Sequence, residues 1–385
     1  MSERHAQVLT ELRQQCDGLL DWMRSQAFPL WGGAGMHPSG AAWEALDFSG
    51  APITADQVRV RVQARQIYVF ALARQLGWQS ERCESMLTGL YAVLMRGCRR
   101  EDGLFGKSYS LAAATLLDDT FCLYDTAFAI LALAKLRGVM PTATVDADIA
   151  SVLAALDAHA AHPDGGFYEE APAPAQRLQN PHMHLFESLL ALRDAGYSEG
   201  LDGRLNTLYE FISATFFDAD AGLVHERVPD NPGELTFEPG HSLEWTWLLT
   251  WHGHYQIEQR NPFAELIYTR AISTLDSHGF ACMEATVSGD KNDPTCRLWS
   301  QAEALKAHAS MALSPGESGL AALQAAAHIC QGIMQRWLLP AHAGGWHDHL
   351  DASGELCAAN IPASTGYHLF GAVVELKQTL QRLTA

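Results

Sequence analysis

The chain is short of positive charge. Its 385 residues carry 26 lysines and arginines against 44 aspartates and glutamates, for a formal net charge of -18. Phosphate backbones are bound by basic stripes, and none appears here, so no nucleic-acid partner is expected. No uninterrupted apolar run reaches membrane-spanning length, and the opening MSERHAQVLTELRQQ lacks the apolar segment of a signal peptide. The expectation is a cytoplasmic protein with no membrane association. The eight cysteines never stand at CxxC spacing, which argues against a zinc knuckle and a disulfide scaffold and leaves reduced core thiols. Also missing are GxxxxGK[ST], a GxGxxG after a strand, and HExxH, the usual signals of nucleotide loops and zincins.

What is present is enough apolar material for a large core, 48% of the residues, arranged mostly at helical spacing. Helices are predicted near 3–25, 55–78, 80–97, 119–137, 144–161, 180–197, 200–217, 239–257, 259–279, 297–312, 317–338 and 363–384. Short gaps such as LGWQSE (76–81) and AGYSEG (195–200) alternate with long ones rich in Gly, Pro and Asp, such as REDGLFGKSYS (100–110) and PDGGFYEEAPAPAQRLQ (163–179). Short connections make antiparallel helix hairpins, and six hairpins close into a ring. The fold class expected is therefore all-α, an (α/α)6 barrel of about twelve helices forming one domain over 1–385. Long loops would sit at the cavity mouth, with small β-hairpins in GGFYEEAP and GGWHDHLDASGEL.

Several polar residues interrupt the apolar helices. His184 and Glu187 in NPHMHLFESLLAL, and His241 and Glu244 in GHSLEWTWLL, are three apart and share a helix face. His368 stands in PASTGYHLFGAVVEL, and His182 neighbours His184. Arg65 breaks the apolar run ARQIYVFALA, whereas Arg59 and Arg61 sit where solvent is easier to reach. A buried arginine needs partners or a hydroxyl-rich or anionic ligand. Glu303 lies beside Trp299 in RLWSQAEALKA, with a salt bridge as the plainer reading. Taken singly, a histidine at a helix end is more often a satisfied structural residue, and Glu187 and Glu244 are equally first-turn acids facing the helix dipole. Trp43, Tyr124 and other aromatics near loops and helix starts suit sugar rings, or packing. The pairs His182/His184, His252/His254 and His347/His349 keep a metal site open, although no ligand set stands out.

Taken in order, the segments around Arg65, His184/Glu187, His241/Glu244, Trp299/Glu303 and His368 resemble the motifs of the N-acylglucosamine 2-epimerase superfamily over nearly the whole chain. That resemblance implies an (α/α)6 barrel and proton movement next to a sugar carbonyl, with His241 and His368 as the catalytic histidines. It implies substrate contacts from Arg65, His184 and Glu244, with Trp299, Glu303, Trp43 and Tyr124 as further substrate-binding candidates. A monosaccharide substrate is expected, with no cofactor and no metal; a homo-oligomer is left open. PASTGYHL and GHSLEW look more like the mannose isomerase branch, which points to D-mannose and D-fructose. The alternatives are N-acylglucosamine or another 2-epimerisation, and, in a different class, glycoside hydrolysis with Asp118 and Asp119 as the visible acidic pair. Glu244 is expected to tune His241 against the helix dipole, giving a pKa near neutrality.

Overall fold

The computed structural model describes residues 3–230, 235–254, 261–338 and 343–384. Helix α1 (Glu3–Trp22) runs through a π-helical turn, Met23–Ala27, into the short α2 (Phe28–Trp31). Then come α3 (Val60–Gln75), α4 (Ser80–Ala92), α5 (Leu123–Val139), α6 (Ala143–His159), α7 (Gln179–Asp194), α8 (Leu201–Phe216), α9 (Pro239–Gly253), α10 (Pro262–Ile272), α11 (Leu298–Met311), α12 (Gly316–Gly332) and α13 (Thr365–Arg382). Helix predictions that reach 255–257 and 259–260 lie outside the described residues.

Two kinds of helix follow from two kinds of sequence. In α1 the buried residues are Leu9, Leu12, Cys16, Leu19 and Leu20, one apolar stripe at three- and four-residue spacing. In α3 every residue from Val62 to Ala73 is buried, and α5, α7, α9, α11 and α13 are buried nearly all round. Helices apolar on every side belong inside, and each fully buried Leu contributes about 2 kcal/mol relative to exposure. These six pack side to side in the closed order α3, α5, α7, α9, α11, α13 and back to α3. Around them α3 packs on α4, α5 on α6, α7 on α8, α9 on α10 and α11 on α12, and α13 pairs with α1 from the other end of the chain. This is the expected (α/α)6 barrel.

Direction places the site. Short turns leave the C-terminal ends of inner helices, as at Ala195–Gly200, where Gly196 has a φ of 78° that an L side chain resists. Long loops therefore gather at the other end, where all six inner helices begin. Small antiparallel strands knit that face. Gln57–Arg59, Ser108–Ser110 and Thr115–Asp118 form one sheet, and Ala45–Leu46 pairs with Ile361–Pro362 in the register Ala45 to Pro362.

Local expectations differ in five places, two of them helix ends: the helix expected over 55–78 starts at Val60 behind the strand Gln57–Arg59, and that expected over 259–279 stops at Ile272. Residues 119–122 are not helical: Thr115–Asp118 is a strand and α5 starts at Leu123, so Asp118 and Asp119 stand at a strand end and in the following loop. The segment GGFYEEAP forms isolated bridges, Ala161 to Phe167 and Cys122 to Glu170, instead of a hairpin. In GGWHDHLDASGEL, His349–Leu350 pairs with Cys296–Arg297, and only a Leu350 to Leu356 bridge closes the turn. Strands of two to four residues are too short for an alternating pattern to announce them. Among the described residues no helix is long and apolar enough to cross a membrane.

Candidate active site

A cavity of about 300 Å³ opens where the inner helices begin. Every inner helix contributes from its first turns or the residues just before them: Arg59, Arg61 and Arg65 at α3, Tyr124 at α5, Asn180 and His184 at α7, Glu238, His241 and Glu244 at α9, Arg297 and Trp299 at α11, and Ser364, Thr365 and His368 at α13. Six helix N-termini thus turn their positive dipole ends toward one space, which favours negative charge developing there.

Three histidines reach the cavity with Nδ1 tied to a carboxylate. His241 Nδ1 donates to Glu226 Oε2 at 2.9 Å, His368 Nδ1 to Glu303 Oε1 at 2.6 Å, and His184 Nδ1 to Glu187 Oε2 at 3.1 Å. Holding Nδ1 fixes each ring and leaves Nε2 for a ligand. Tyr367 also donates its hydroxyl to Glu187. Trp299 stands beside both outer members of this set, its ring centroid 5.1 Å from His241 and 5.7 Å from His368. Gly240 permits that placement, since a Cβ there would fall 2.7 Å from the Trp299 ring.

Protonation separates the two histidines. Burial alone would lower the His241 pKa, but the charges of Glu226 and Glu238, the Glu226 hydrogen bond and the charge of Glu244 outweigh it and lift the pKa well above the usual 6.5. Burial holds His368 well below 6.5, and the positive charges of Arg65, Lys306, His184 and His241 act in the same direction. These shifts favour the imidazolium at His241 and the neutral imidazole at His368.

Glu244 is fully buried, lines the cavity, and has no hydrogen-bond partner for either carboxylate oxygen among the described residues. A buried anion in that state is costly until a ligand supplies donors. Arg65, 6% exposed, donates from Nη2 to the Tyr124 hydroxyl at 2.7 Å and lies over Phe128, 4.1 Å from its centroid. Arg61 is held by Asp125 through Nη2 to Oδ2 at 2.7 Å and Nε to Oδ1 at 3.0 Å. Three groups, His184/Glu187/Glu244, Glu226/Glu238/His241 and Glu244/Glu303/His368, each bring ligand atoms within 4.8 Å of one another, a spacing that could hold a metal ion. The histidine pairs named from the sequence are not among them. His182 in particular is structural: it accepts from the Phe167 N–H at 3.1 Å and donates to the Leu178 carbonyl at 2.9 Å, and burial drops its pKa to about 4.

Of the residues singled out in the sequence, His241, His368, Arg65, His184, Glu244, Trp299 and Tyr124 line this cavity, and Glu303 and Trp43 do not. Glu303 stands behind His368, and the ring of Trp43 packs edge-on to His37 at 4.8 Å. Glu244 does raise the His241 pKa as expected, but as the smallest of the named influences. Glu226, from the loop before α9, holds the ring, and with Glu238 it outweighs burial, so the pKa rises instead of resting near neutrality. Glu226 had no signal in the sequence, since it lies in an irregular segment 15 residues before its partner. Arg61 was read as solvent-facing, yet it lies at the cavity because its partner Asp125, fully buried on α5, draws it inward. Lys306, three residues after Glu303 in QAEALKA, could have been found from an acid–base pair inside an apolar helix.

The sequence model described as N-acylglucosamine 2-epimerase (GlcNAc 2-epimerase) matches residues 42–372. The chain belongs to that family. Among curated relatives of this N-acylglucosamine 2-epimerase family member, the mannose-6-phosphate isomerase of Rhizobium meliloti (strain 1021) is 32% identical over 395 residues, covering 97% of this chain and 99% of the relative. Among solved structures, a D-mannose isomerase superposes with a TM-score of 0.82 at 20% identity, covering 94% of this chain and 98% of the other. A cellobiose 2-epimerase from Spirochaeta thermophila DSM 6192 superposes with a TM-score of 0.83, also at 20% identity, over 97% and 98%. At that identity the two structures speak for the fold. Family membership makes the protein an enzyme of the sugar isomerase and epimerase class.

Proposed function

We propose that the protein interconverts D-mannose and D-fructose through a cis-enediol. The observation that carries this reading is the pair of histidines beside Trp299 with opposite protonation, an acid at His241 and a base at His368. His241 donates a proton to the ring oxygen and takes the O1 proton as the pyranose opens to the aldehyde. Nε2 of neutral His368 then takes the proton from C2, and the electron pair forms the C1=C2 enediol as His241 returns its proton to O1. C1 next receives the proton held by His368 while the O2 hydroxyl gives its own to His241, leaving the carbonyl at C2 and both histidines as they began. Arg65 and His184 hold the sugar oxygens, and the helix N-termini stabilise the enediolate. Glu244 accepts from sugar hydroxyls.

The arginines favour a free sugar over a phosphorylated one. Of the four at the cavity, Arg59 is paired with Glu44, Arg61 with Asp125 and Arg297 with Asp348, so only Arg65 has no carboxylate partner among the described residues. A phosphate would find no cluster of unpaired cations. The presence of two histidine acid/base groups supports a second reading, 2-epimerisation of N-acylglucosamine or another aldose, in which C2 is reprotonated on its other face. Glycoside hydrolysis loses its acidic pair, because Asp118 and Asp119 do not line the cavity.

Incubation with D-mannose, N-acetylglucosamine and cellobiose in deuterated water, followed by NMR, tests the proposal. Fructose is the expected product, with deuterium at C1 to the extent that the proton on His368 exchanges with solvent before it is delivered. A C2 epimer with deuterium at C2 and no ketose would replace isomerisation by epimerisation.

A further inference from the structure

Beneath His368 the core holds more charge than an apolar barrel tolerates without purpose. Lys306 on α11 is 2% exposed and Glu303 is fully buried. Lys306 Nζ lies 2.7 Å from Glu303 Oε2, while the other oxygen of that carboxylate accepts from His368 Nδ1 at 2.6 Å. The ammonium also sits 3.7 Å from the Trp247 ring centroid on α9, a cation–π contact, and 5.9 Å from that of Tyr367 on α13. It does not line the cavity and does not reach a sugar.

Lys306 is also a balancing charge. Its surroundings hold three buried carboxylates: Glu303 on its own helix, Glu187 on α7 and Glu244 on α9. Glu244 belongs to two of the close groups named above, with His184 and Glu187 on one side and with Glu303 and His368 on the other. The other charged or titratable groups facing this cluster are Arg65 and Tyr68 on α3, Lys135 on α5, His184 on α7, His241 on α9, and Tyr367, His368 and Glu375 on α13. Burial and the charge of Glu244 push the Glu303 carboxyl well above its usual range, Lys306 pulls it back, and Glu187 pushes it up again. The Lys306 ammonium, 2.7 Å from Oε2, works against that rise and favours the carboxylate.

Building on the reading of His368 as the base, we propose that Lys306 is a positioning residue that fixes which nitrogen of His368 carries the proton. With Lys306 in place, Glu303 is an anion and can only accept; His368 must donate from Nδ1, and its Nε2 lone pair faces the substrate. Without that charge, Glu303 takes a proton from solvent and becomes a donor to Nδ1. The imidazole proton then moves to Nε2, and the ring faces the sugar with an N–H where the base should be. The ring stays in place but has the wrong tautomer.

The test is Lys306→Met, which keeps the length and apolar stem of the side chain, beside Lys306→Arg, which keeps the charge. Two readouts are needed: kcat and KM for D-mannose across pH, and the His368 tautomer from ¹⁵N NMR of histidine-labelled protein, with helical circular dichroism as the check on folding. Lys306→Met is expected to lose about 100-fold or more in kcat, with KM changed by less than about threefold, and to move the His368 proton from Nδ1 to Nε2. Lys306→Arg is expected to keep the Nδ1 proton and to restore at least about a tenth of the activity. A folded Lys306→Met protein whose His368 still carries its proton on Nδ1 overturns the proposal, as does one with near-normal kcat. If the unaltered enzyme ignores D-mannose, the substrate reading fails, and the tautomer readout still decides the role of Lys306.

Discussion

The two sides of the cavity use the same residue for opposite ends. His241 and His368 both stand in the first turn or so of an inner helix, both rest against Trp299, and both give Nδ1 to a glutamate. What differs is the company. His241 faces a wall of carboxylates, Glu226 and Glu238 with Glu244 behind them, and no cation raises or cancels their effect among its main influences. His368 gives Nδ1 to a glutamate already shared with Lys306, and the positive charges of Arg65, Lys306, His184 and His241 surround it. A histidine's role here is set by the charges of its neighbours, more than by its own place on a helix.

Removing either member of the pair should have the largest effect. His368→Ala or His241→Ala is expected to reduce kcat by about 10²- to 10⁴-fold while leaving the helical circular dichroism intact. Near-normal turnover in either variant would end the assignment. Changing the company while keeping the histidine is a gentler way to test the contrast. In the unaltered enzyme the base must be neutral, so activity falls on the acid side only through the low His368 pKa. The acid must be protonated, so activity falls on the alkaline side only through the raised His241 pKa, and a plateau spans neutral pH. Glu226→Gln removes a negative charge from His241 and lowers its pKa. The alkaline limb of the kcat profile should then move to lower pH, with the acid limb unmoved and activity above about pH 8 reduced about tenfold. A shift of the acid limb instead would mean that the roles are reversed. The smallest effect is expected outside both walls: Trp43→Ala should change kcat/KM for D-mannose by less than about threefold, because its ring packs against His37 and not against the cavity.

These cases also show where sequence is readable. The barrel was legible because inner and outer helices differ in pattern, the all-round burial of α3 against the single stripe of α1, and because turn lengths alternate. Histidines at regular places on inner helices could be picked out, since a polar residue in an apolar helix stands out. Their partners could be picked out only when they shared the helix. Glu187 lies three residues from His184, but Glu226 comes to His241 from a loop, and Glu303 comes to His368 from another helix 65 residues away. Glu244, three residues after His241, was assigned to it by spacing. The packing turns that carboxylate toward His184, 3.9 Å from its Nδ1, and into the cavity. The charges that set a buried histidine's protonation come to His368 from four other helices and to His241 mainly from the loop before α9, so one-dimensional spacing pointed to a neutral pKa for His241 where the assembled site gives a raised one.

The contrast between the two walls can be read directly by ¹⁵N NMR of histidine-labelled enzyme, with His241→Gln and His368→Gln used to assign the signals. At about pH 7 the expected spectrum has His241 protonated on both ring nitrogens and His368 carrying one proton, on Nδ1. Two neutral rings, or a doubly protonated His368 beside a neutral His241, would contradict it.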